Sequence, residues 1–92
     1  MQRLKIAIVT PGYPSNENGG FGFVHARAKL YAPKNEVKVF TISSTNSSRD
    51  FEGIEITEGS IAYLQEQINK FNPKVLAVHF PDFRIIQLVK SL

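Results

Sequence analysis

A short apolar run that leads into a loop rich in proline and glycine constrains this chain most. Leu4, Ile6 and Ile8 occupy every second position, and from Ala7 onward the positions between them are apolar as well. Such a run is expected of a central parallel strand that is covered on both faces. Residues 10–20 contain two prolines and three glycines, so neither a strand nor a helix can continue through them. The pattern predicts a buried strand that runs through a shaped loop into a helix, the opening of a parallel α/β fold.

Residues 21–32 are predicted to form that helix. Starting at Val24, apolar residues recur at spacings of four and three, which places them on one helix face. Phe23 and Leu30 are expected to widen this face. Pro33 lacks the amide that a further turn would use, so the helix should end there.

The rest of the chain alternates strands and helices. Alternating or continuous apolar runs predict strands, and apolar residues three and four apart predict helices. The predicted elements are a strand over 36–42, a polar loop over 43–50, a short edge strand over 51–57, a helix between Ser60 and Asn72, a buried strand over 74–80 and a helix over 84–92. Ser60 is expected to cap the first of these helices, and Asn72 with Pro73 to end it. This order predicts one domain over residues 1–92, a three-layer α/β sandwich with a mostly parallel sheet of about four strands.

Composition and charge argue against several classes of protein. Eleven basic and eight acidic side chains give a net charge of +3, but the basic residues are scattered singly, whereas nucleic-acid binding needs them clustered. The chain has no cysteine, which excludes disulfides and thiolate chemistry and fits a cytoplasmic location. The apolar run Ile6–Val9 is too short for a signal peptide. Two histidines and scattered carboxylates give no metal-binding spacing, so we expect no metal. We also expect no cofactor and, because the basic residues are scattered, no nucleic-acid partner.

A binding site is expected at the carboxyl ends of the strands, where ligands bind in open parallel sheets. The loop after Val9 and the residues around His79 should therefore share one edge of the molecule. Gly19 and Gly20 precede a predicted helix, whose free amides and positive dipole favour an anion such as phosphate. Their spacing fits neither a Walker loop nor a dinucleotide fingerprint. They either bind a ligand in this way or only shape a turn.

Three polar side chains are further candidates. His79 follows a predicted buried strand, where an imidazole can bind a sugar hydroxyl, act as a general acid or base, or only cap the strand end. Asp82 can orient that histidine or bind a polyol, although an exposed loop aspartate is the simpler interpretation. His25 faces either the loop or solvent, and solvent is favoured. We therefore predict substrate binding at Gly19, Gly20, His79 and Asp82 and assign no catalytic residue.

Several segments, taken together, resemble one known family. They are the strand Lys5–Thr10, Pro14, the pair Gly19-Gly20 before a helix, and the strand Glu36–Thr41. In this order they look like the start of a two-domain GT-B glycosyltransferase, specifically a retaining enzyme of family 4 (group 1). Lys34-Asn35-Glu36-Val37 stands where that family has Gly-His-Glu-Val, so the glycine and the histidine are replaced. Pro73–His79 resembles the family strand Pro-Asp-Val-Ile-His-Ala-His and keeps its last histidine.

The resemblance implies a Rossmann-like domain that forms the acceptor side of a sugar-transfer cleft. In the complete enzyme, a sugar would pass from a nucleotide-sugar donor to a sugar or lipid acceptor. Gly19 and Gly20 would lie near donor and acceptor, and His79 would line the cleft. The second domain of the family, which carries the nucleotide site and a pair of glutamates, is missing from the sequence. The resemblance therefore implies an incomplete N-terminal domain that is inactive alone.

Two further expectations concern partners and alternatives. If no strand follows it, the apolar segment Val75–Phe80 forms a sheet edge, and such an edge tends to pair. We expect a homodimer, or association with a donor domain through this edge. A different class of function also fits, namely a small stand-alone α/β protein that binds a phosphorylated or sugar ligand or a partner chain. A flavodoxin-like or receiver-like module fits less well, because Thr10-Pro11 stands where a receiver has an acidic residue.

Overall fold

Residues 3–15 and 19–92, which the computed structural model describes, form five strands and three helices. In chain order they are β1 (Lys5–Thr10), α1 (Gly22–Tyr31), β2 (Glu36–Ile42), β3 (Ser47–Phe51), β4 (Ile54–Gly59), α2 (Ile61–Phe71), β5 (Val75–Val78) and α3 (Phe83–Ser91). The strands form one sheet in the order β3-β4-β2-β1-β5. Only β3 runs antiparallel to its neighbour. The fold is a mostly parallel α/β sheet of the Rossmann-like kind.

The central strand β1 is buried on both faces of the sheet. Ile6 and Ile8 face the apolar cluster that includes α1, whereas Ala7 and Val9 face the cluster that includes α2 and α3. Each of the four is at most 6 % exposed. Burial of an isoleucine or valine side chain contributes about 1.5–3 kcal/mol, so β1 supports both helical layers. The predicted central strand and the three-layer arrangement are confirmed.

The direction of the crossovers reverses at β1. The chain passes from β1 through α1 to β2 on one side, and from β4 through α2 to β5 on the other side of β1. The helices α1 and α2 pack on opposite faces of the sheet. The carboxyl ends of β1 and β5 therefore flank the crevice in which doubly wound sheets bind their ligands.

The predicted ends of α2 are confirmed. The Ser60 hydroxyl oxygen accepts a hydrogen bond from the Tyr63 amide at 3.2 Å, which satisfies one of the amides left free at a helix start. Asn72 adopts a left-handed conformation with φ of 54° and donates its amide to the Ile68 carbonyl oxygen. Among the described residues, no helix has the length and apolar character needed to cross a membrane.

The predicted polar loop over residues 43–50 is wrong, because Ser47–Phe51 forms the strand β3. Its hydrogen bonds come from antiparallel pairing with β4, from Ser47 opposite Glu58 to Phe51 opposite Ile54. The local sequence is polar, so this strand depends on its partner more than on the propensity of its own residues. Within the described residues the sheet has five strands, whereas about four were predicted.

The strand predicted over 51–57 is not an edge strand. Its counterpart β4 lies between β2 and β3, and Ile54 and Ile56 are fully buried. A two-residue turn joins β3 to β4, with positive φ at both Glu52 (51°) and Gly53 (88°). This mirror-image turn matches the twist of a hairpin and favours glycine.

Two predictions of burial are also wrong. The predicted buried strand over 74–80 is the half-exposed edge strand β5, with Val75 and Val78 about two-fifths exposed. The reason is that only β1 pairs with it within residues 3–15 and 19–92. On α1, Val24 is buried as predicted, but Phe23 and Leu30 are 58 % and 68 % exposed, because they point away from the sheet.

Candidate functional site

The two segments predicted to share one edge meet at the carboxyl ends of β1 and β5. The amide of His79 donates a hydrogen bond to the Val9 carbonyl oxygen at 2.9 Å. Phe21, just after the glycine pair, contacts Phe80, with 5.7 Å between the ring centroids. The glycine loop and the His79 segment therefore line the same crevice, the one where the crossovers reverse.

Gly19 and Gly20 lie exposed immediately before α1. A Cβ atom at Gly19 would meet no other heavy atom within 4 Å, and the φ of Gly19 lies outside the left-handed region. The fold itself does not require glycine at this position. Phe21, the residue that precedes α1, provides no side-chain hydrogen bond to the helix amides. A ligand can approach this segment closely.

The His79 side chain is half-buried beside the crevice. Burial first, and the charge of Arg27 second, hold the pKa of His79 below its ordinary value of 6.5. The imidazole is therefore neutral at physiological pH, with one nitrogen that donates and one that accepts a hydrogen bond. Such a ring can bind a hydroxyl group or take up a proton.

Asp82 is committed to the start of α3. One carboxylate oxygen accepts the Ile85 amide at 3.0 Å and the other accepts Arg84 Nη2 at 3.0 Å. The hydrogen bond from the Ile85 amide, which has the largest effect, and that from Arg84 lower the pKa of Asp82. Within the described residues, no hydrogen bond joins Asp82 to His79. The structure therefore shows Asp82 as a helix cap and does not bring it to the imidazole.

Arg49, a residue that the sequence did not single out, anchors the loop after β1. Its guanidinium donates to the carbonyl oxygens of Tyr13 at 3.2 Å and Pro14 at 2.9 Å. Its Nε atom also donates to the Glu58 carboxylate at 3.2 Å. Nearer the strand, the Thr10 hydroxyl donates to the Gly12 carbonyl oxygen at 3.0 Å. The first half of the loop is thus tied to the carboxyl ends of the strands.

His25 does not face solvent, and that prediction is wrong. Its Nδ1 atom lies 2.6 Å from the Tyr13 hydroxyl and its Nε2 atom 2.9 Å from a Glu52 carboxylate oxygen, and its side chain is only 13 % exposed. The ring also packs against Phe51, with 4.8 Å between centroids. Burial raises the pKa of the Tyr13 hydroxyl well above its ordinary value, so Tyr13 stays protonated. No local spacing in the sequence signals this contact, which joins a loop, a helix and a distant hairpin turn.

Two other features bear on where a ligand could bind. A groove of about 380 Å³ lies at the opposite edge of the sheet, near the amino ends of β2 and β4. Several of its charged side chains already have partners, since Lys38 pairs with Glu55 at 3.3 Å and Arg3 donates to the Asn35 carbonyl oxygen. In the part of the chain that the structure describes, no three histidine or carboxylate side chains are grouped so that they could hold a metal ion. The crevice at the carboxyl ends of β1 and β5 is the better candidate.

Comparisons with known proteins add no assignment. No family model, no curated protein and no solved structure matches the chain.

Proposed function

We propose that the chain is the acceptor-side, N-terminal domain of a GT-B glycosyltransferase of family 4. The complete enzyme would transfer a sugar from a nucleotide-sugar donor to a sugar or lipid acceptor, in the cytoplasm. One observation carries the proposal: the Gly19-Gly20 segment and the His79 segment, which both belong to the motifs that resemble the family, meet at the crevice where ligands of such sheets bind.

The chemistry of the crevice suits binding and orientation of an acceptor. It offers a neutral imidazole at His79, an exposed glycine pair and two exposed phenylalanine rings. Asp82, the carboxylate nearest in sequence to His79, is taken up by the start of α3. Most of the rate enhancement of a transferase comes from positioning and electrostatic stabilisation across its cleft. A facing donor domain would have to supply the rest, so this domain would be inactive alone.

The complete reading frame tests the proposal most directly. We expect it to encode a second domain with its own glycine-rich segment and paired glutamates, and we expect the protein made from the whole frame to transfer sugar from a nucleotide-sugar donor. A titration of nucleotide sugars against the 92-residue chain should give no saturable binding. Micromolar binding to this chain would overturn the acceptor-side assignment, and a stop codon directly after Leu92 would favour the stand-alone binding protein.

A pair of glycine variants tests the role of the loop. Gly19→Ala places a methyl group in open space, so it should leave stability unchanged and lower the transfer rate of the whole enzyme by hindering ligand approach. The matched control is Gly22→Ala, also in open space but within α1, where alanine is favourable. Equal activity of Gly19→Ala and the parent enzyme would leave Gly19 without a functional role.

One observation favours a second candidate, an assembly protein. The outer edge of β5 has no neighbouring strand in the described residues. Beside it lies a groove of about 240 Å³ lined by Val78, Pro81, Ile85, Ile86, Val89 and Lys90. Open edges of this kind tend to pair. A second copy of the chain or a donor domain would then cover Val75–Phe80. Sedimentation of the isolated chain tests this, because a clean monomer at tens of micromolar would contradict self-association.

A further inference from the structure

Two phenylalanine residues at the crevice adopt a backbone conformation that bulky residues rarely take. Phe21 has a φ of 64° and Phe80 a φ of 50°, both in the left-handed region that disfavours a large side chain. The other non-glycine residues with positive φ in the described chain have a structural reason, since Glu52 lies in a hairpin turn and Asn72 ends α2. Strained residues of this kind cluster at binding sites, where the surrounding structure holds them.

The two rings do not offset this strain by entering the core. Phe21 is 41 % and Phe80 54 % exposed. They contact each other edge to face, at 5.7 Å and 74°, which forms an open corner between two ring surfaces. We call Gly12, Phe21 and Phe80 the aromatic corner.

Gly12 makes room for the corner. A Cβ atom at Gly12 would lie 2.6 Å from Cε2 of Phe21, closer than side chains pack. Phe21 therefore rests directly on the backbone of the loop after β1, and Phe80 follows the end of β5. The corner joins the two strands that flank the crevice, although its residues come from distant parts of the sequence.

The residue that precedes Phe80 in the sequence indicates which ligand the corner fits. His79 immediately precedes Phe80 and carries a neutral imidazole that can donate and accept hydrogen bonds. The carboxylate of Asp82, two residues after Phe80, is occupied by Ile85 and Arg84. The faces of aromatic rings carry negative potential, which attracts polarised C–H groups. A pyranose ring has both a C–H face and hydroxyl groups, whereas a lipid chain has no hydroxyls for His79.

We infer that the aromatic corner binds a pyranose ring, with its C–H face on Phe21 and Phe80 and a hydroxyl group on His79. This deepens the proposed function and rests on it, because the pyranose would be the acceptor or its terminal sugar. It assigns the acceptor class as a carbohydrate and not a bare lipid.

Amide chemical shifts of the ¹⁵N-labelled chain test the inference. Methyl α-D-glucopyranoside and methyl α-D-mannopyranoside are the probes, and cyclohexanol, which has an apolar ring and one hydroxyl, is the control ligand. We expect saturable shifts at residues 12, 21, 79 and 80 with at least one sugar and weaker binding of cyclohexanol. No shift at the corner with either sugar, or equally tight binding of cyclohexanol, would overturn the inference. If a partner domain covers the aromatic corner instead, the sugars should cause no shifts there, and the inference is overturned in the same way.

Variants of Phe80 separate binding from folding. Phe80→Leu keeps apolar volume but removes the ring face, so it should weaken sugar binding about 3- to 10-fold, whereas Phe80→Tyr should retain it. The matched control Phe83→Leu, at a side chain that is 81 % exposed on α3, should bind as the parent chain does. Phe80→Gly relieves the strained backbone, so its melting temperature should be no lower than that of the parent. It should nevertheless no longer bind the sugar, because the ring is gone. A large loss of stability in Phe80→Gly would make the corner structural and contradict a binding role.

The outcome is independent of the transferase assay. Sugar-dependent shifts at the corner, together with an absence of transfer by the protein from the whole reading frame, would support the pyranose site and reject the glycosyltransferase. Transfer activity without sugar binding at the corner would support the glycosyltransferase and reject the pyranose site.

Discussion

The Tyr13 hydroxyl and Nδ1 of His25 lie 2.6 Å apart and form a directed hydrogen bond. A carboxylate only accepts hydrogen bonds, so Nε2 of His25 must carry the proton that it shares with Glu52. In the neutral ring Nδ1 is then an acceptor, and Tyr13 donates to it. Because Lys29 also donates to the Glu52 carbonyl oxygen at 3.0 Å, this group of contacts ties the loop after β1 and the start of α1 to the β3-β4 turn.

Removal of the Tyr13 hydroxyl should destabilise the chain. Tyr13→Phe keeps the ring in its buried position but leaves Nδ1 of His25 without its donor, and such a loss costs about 1–3 kcal/mol. The free energy of unfolding in urea measures the effect. Tyr31→Phe is the matched control, because no hydrogen bond is formed by the Tyr31 hydroxyl within residues 3–15 and 19–92, and its stability should stay within about 0.5 kcal/mol of the parent. Equal stability of the two variants would contradict a structural role for the Tyr13–His25 contact.

Arg49 should control the order of the loop more than the global stability. Arg49→Lys keeps one positive charge for Glu58 but loses the fork that reaches the Tyr13 and Pro14 carbonyl oxygens together. We expect faster amide hydrogen exchange and faster proteolysis in residues 10–15, while β1 remains protected. The control is Arg84→Lys, whose partner Asp82 lies in the exposed start of α3. If amide exchange in residues 10–15 is unchanged in Arg49→Lys, the Arg49 hydrogen bonds do not hold this loop in place.

The elements that the sequence predicted well are those whose signals are local. The strand over the apolar run Ile6–Val9 and the cap at Ser60 depend on a few neighbouring residues, and both are found in the structure. Strand β3 was missed because Ser47 to Asp50 are polar and form a strand only when β4 lies beside them. The same holds at the candidate site. His79 could be placed at a strand end from its own segment, but its neighbours across the crevice, and the enclosure of His25, depend on contacts between distant segments.

The depressed pKa of His79 predicts a specific dependence of stability on pH. The pKa of His79 in the folded chain lies below the unfolded value of 6.5, so below pH 6.5 the unfolded chain binds a proton that the folded chain does not. The free energy of unfolding should therefore fall as the pH drops through 6.5, until the folded pKa is passed and the loss is complete. His79→Gln should lack this component.

Urea unfolding of the parent and His79→Gln between about pH 8 and pH 5 measures the difference. As the pH falls, the free energy of unfolding of the parent should decrease more than that of His79→Gln. Because the two proteins differ only at residue 79, contributions from the rest of the chain cancel in the comparison. A gap that is independent of pH would mean that His79 titrates equally in the folded and unfolded chains.

The turn between β3 and β4 should be far less tolerant of a side chain than the glycine loop. Gly53 has a φ of 88°, so Gly53→Ala forces an alanine into a strained backbone that costs about 1–3 kcal/mol. Gly19→Ala, at a backbone position with ordinary φ and open space around it, should leave the urea midpoint unchanged or raise it slightly, because alanine lowers the entropy of the unfolded chain. The hairpin turn also carries Glu52, so Gly53→Ala should shift the amide signals of His25 and Lys29 on α1. If both variants lose stability equally, the fold requires glycine at position 19, and Gly19 is not kept for a ligand.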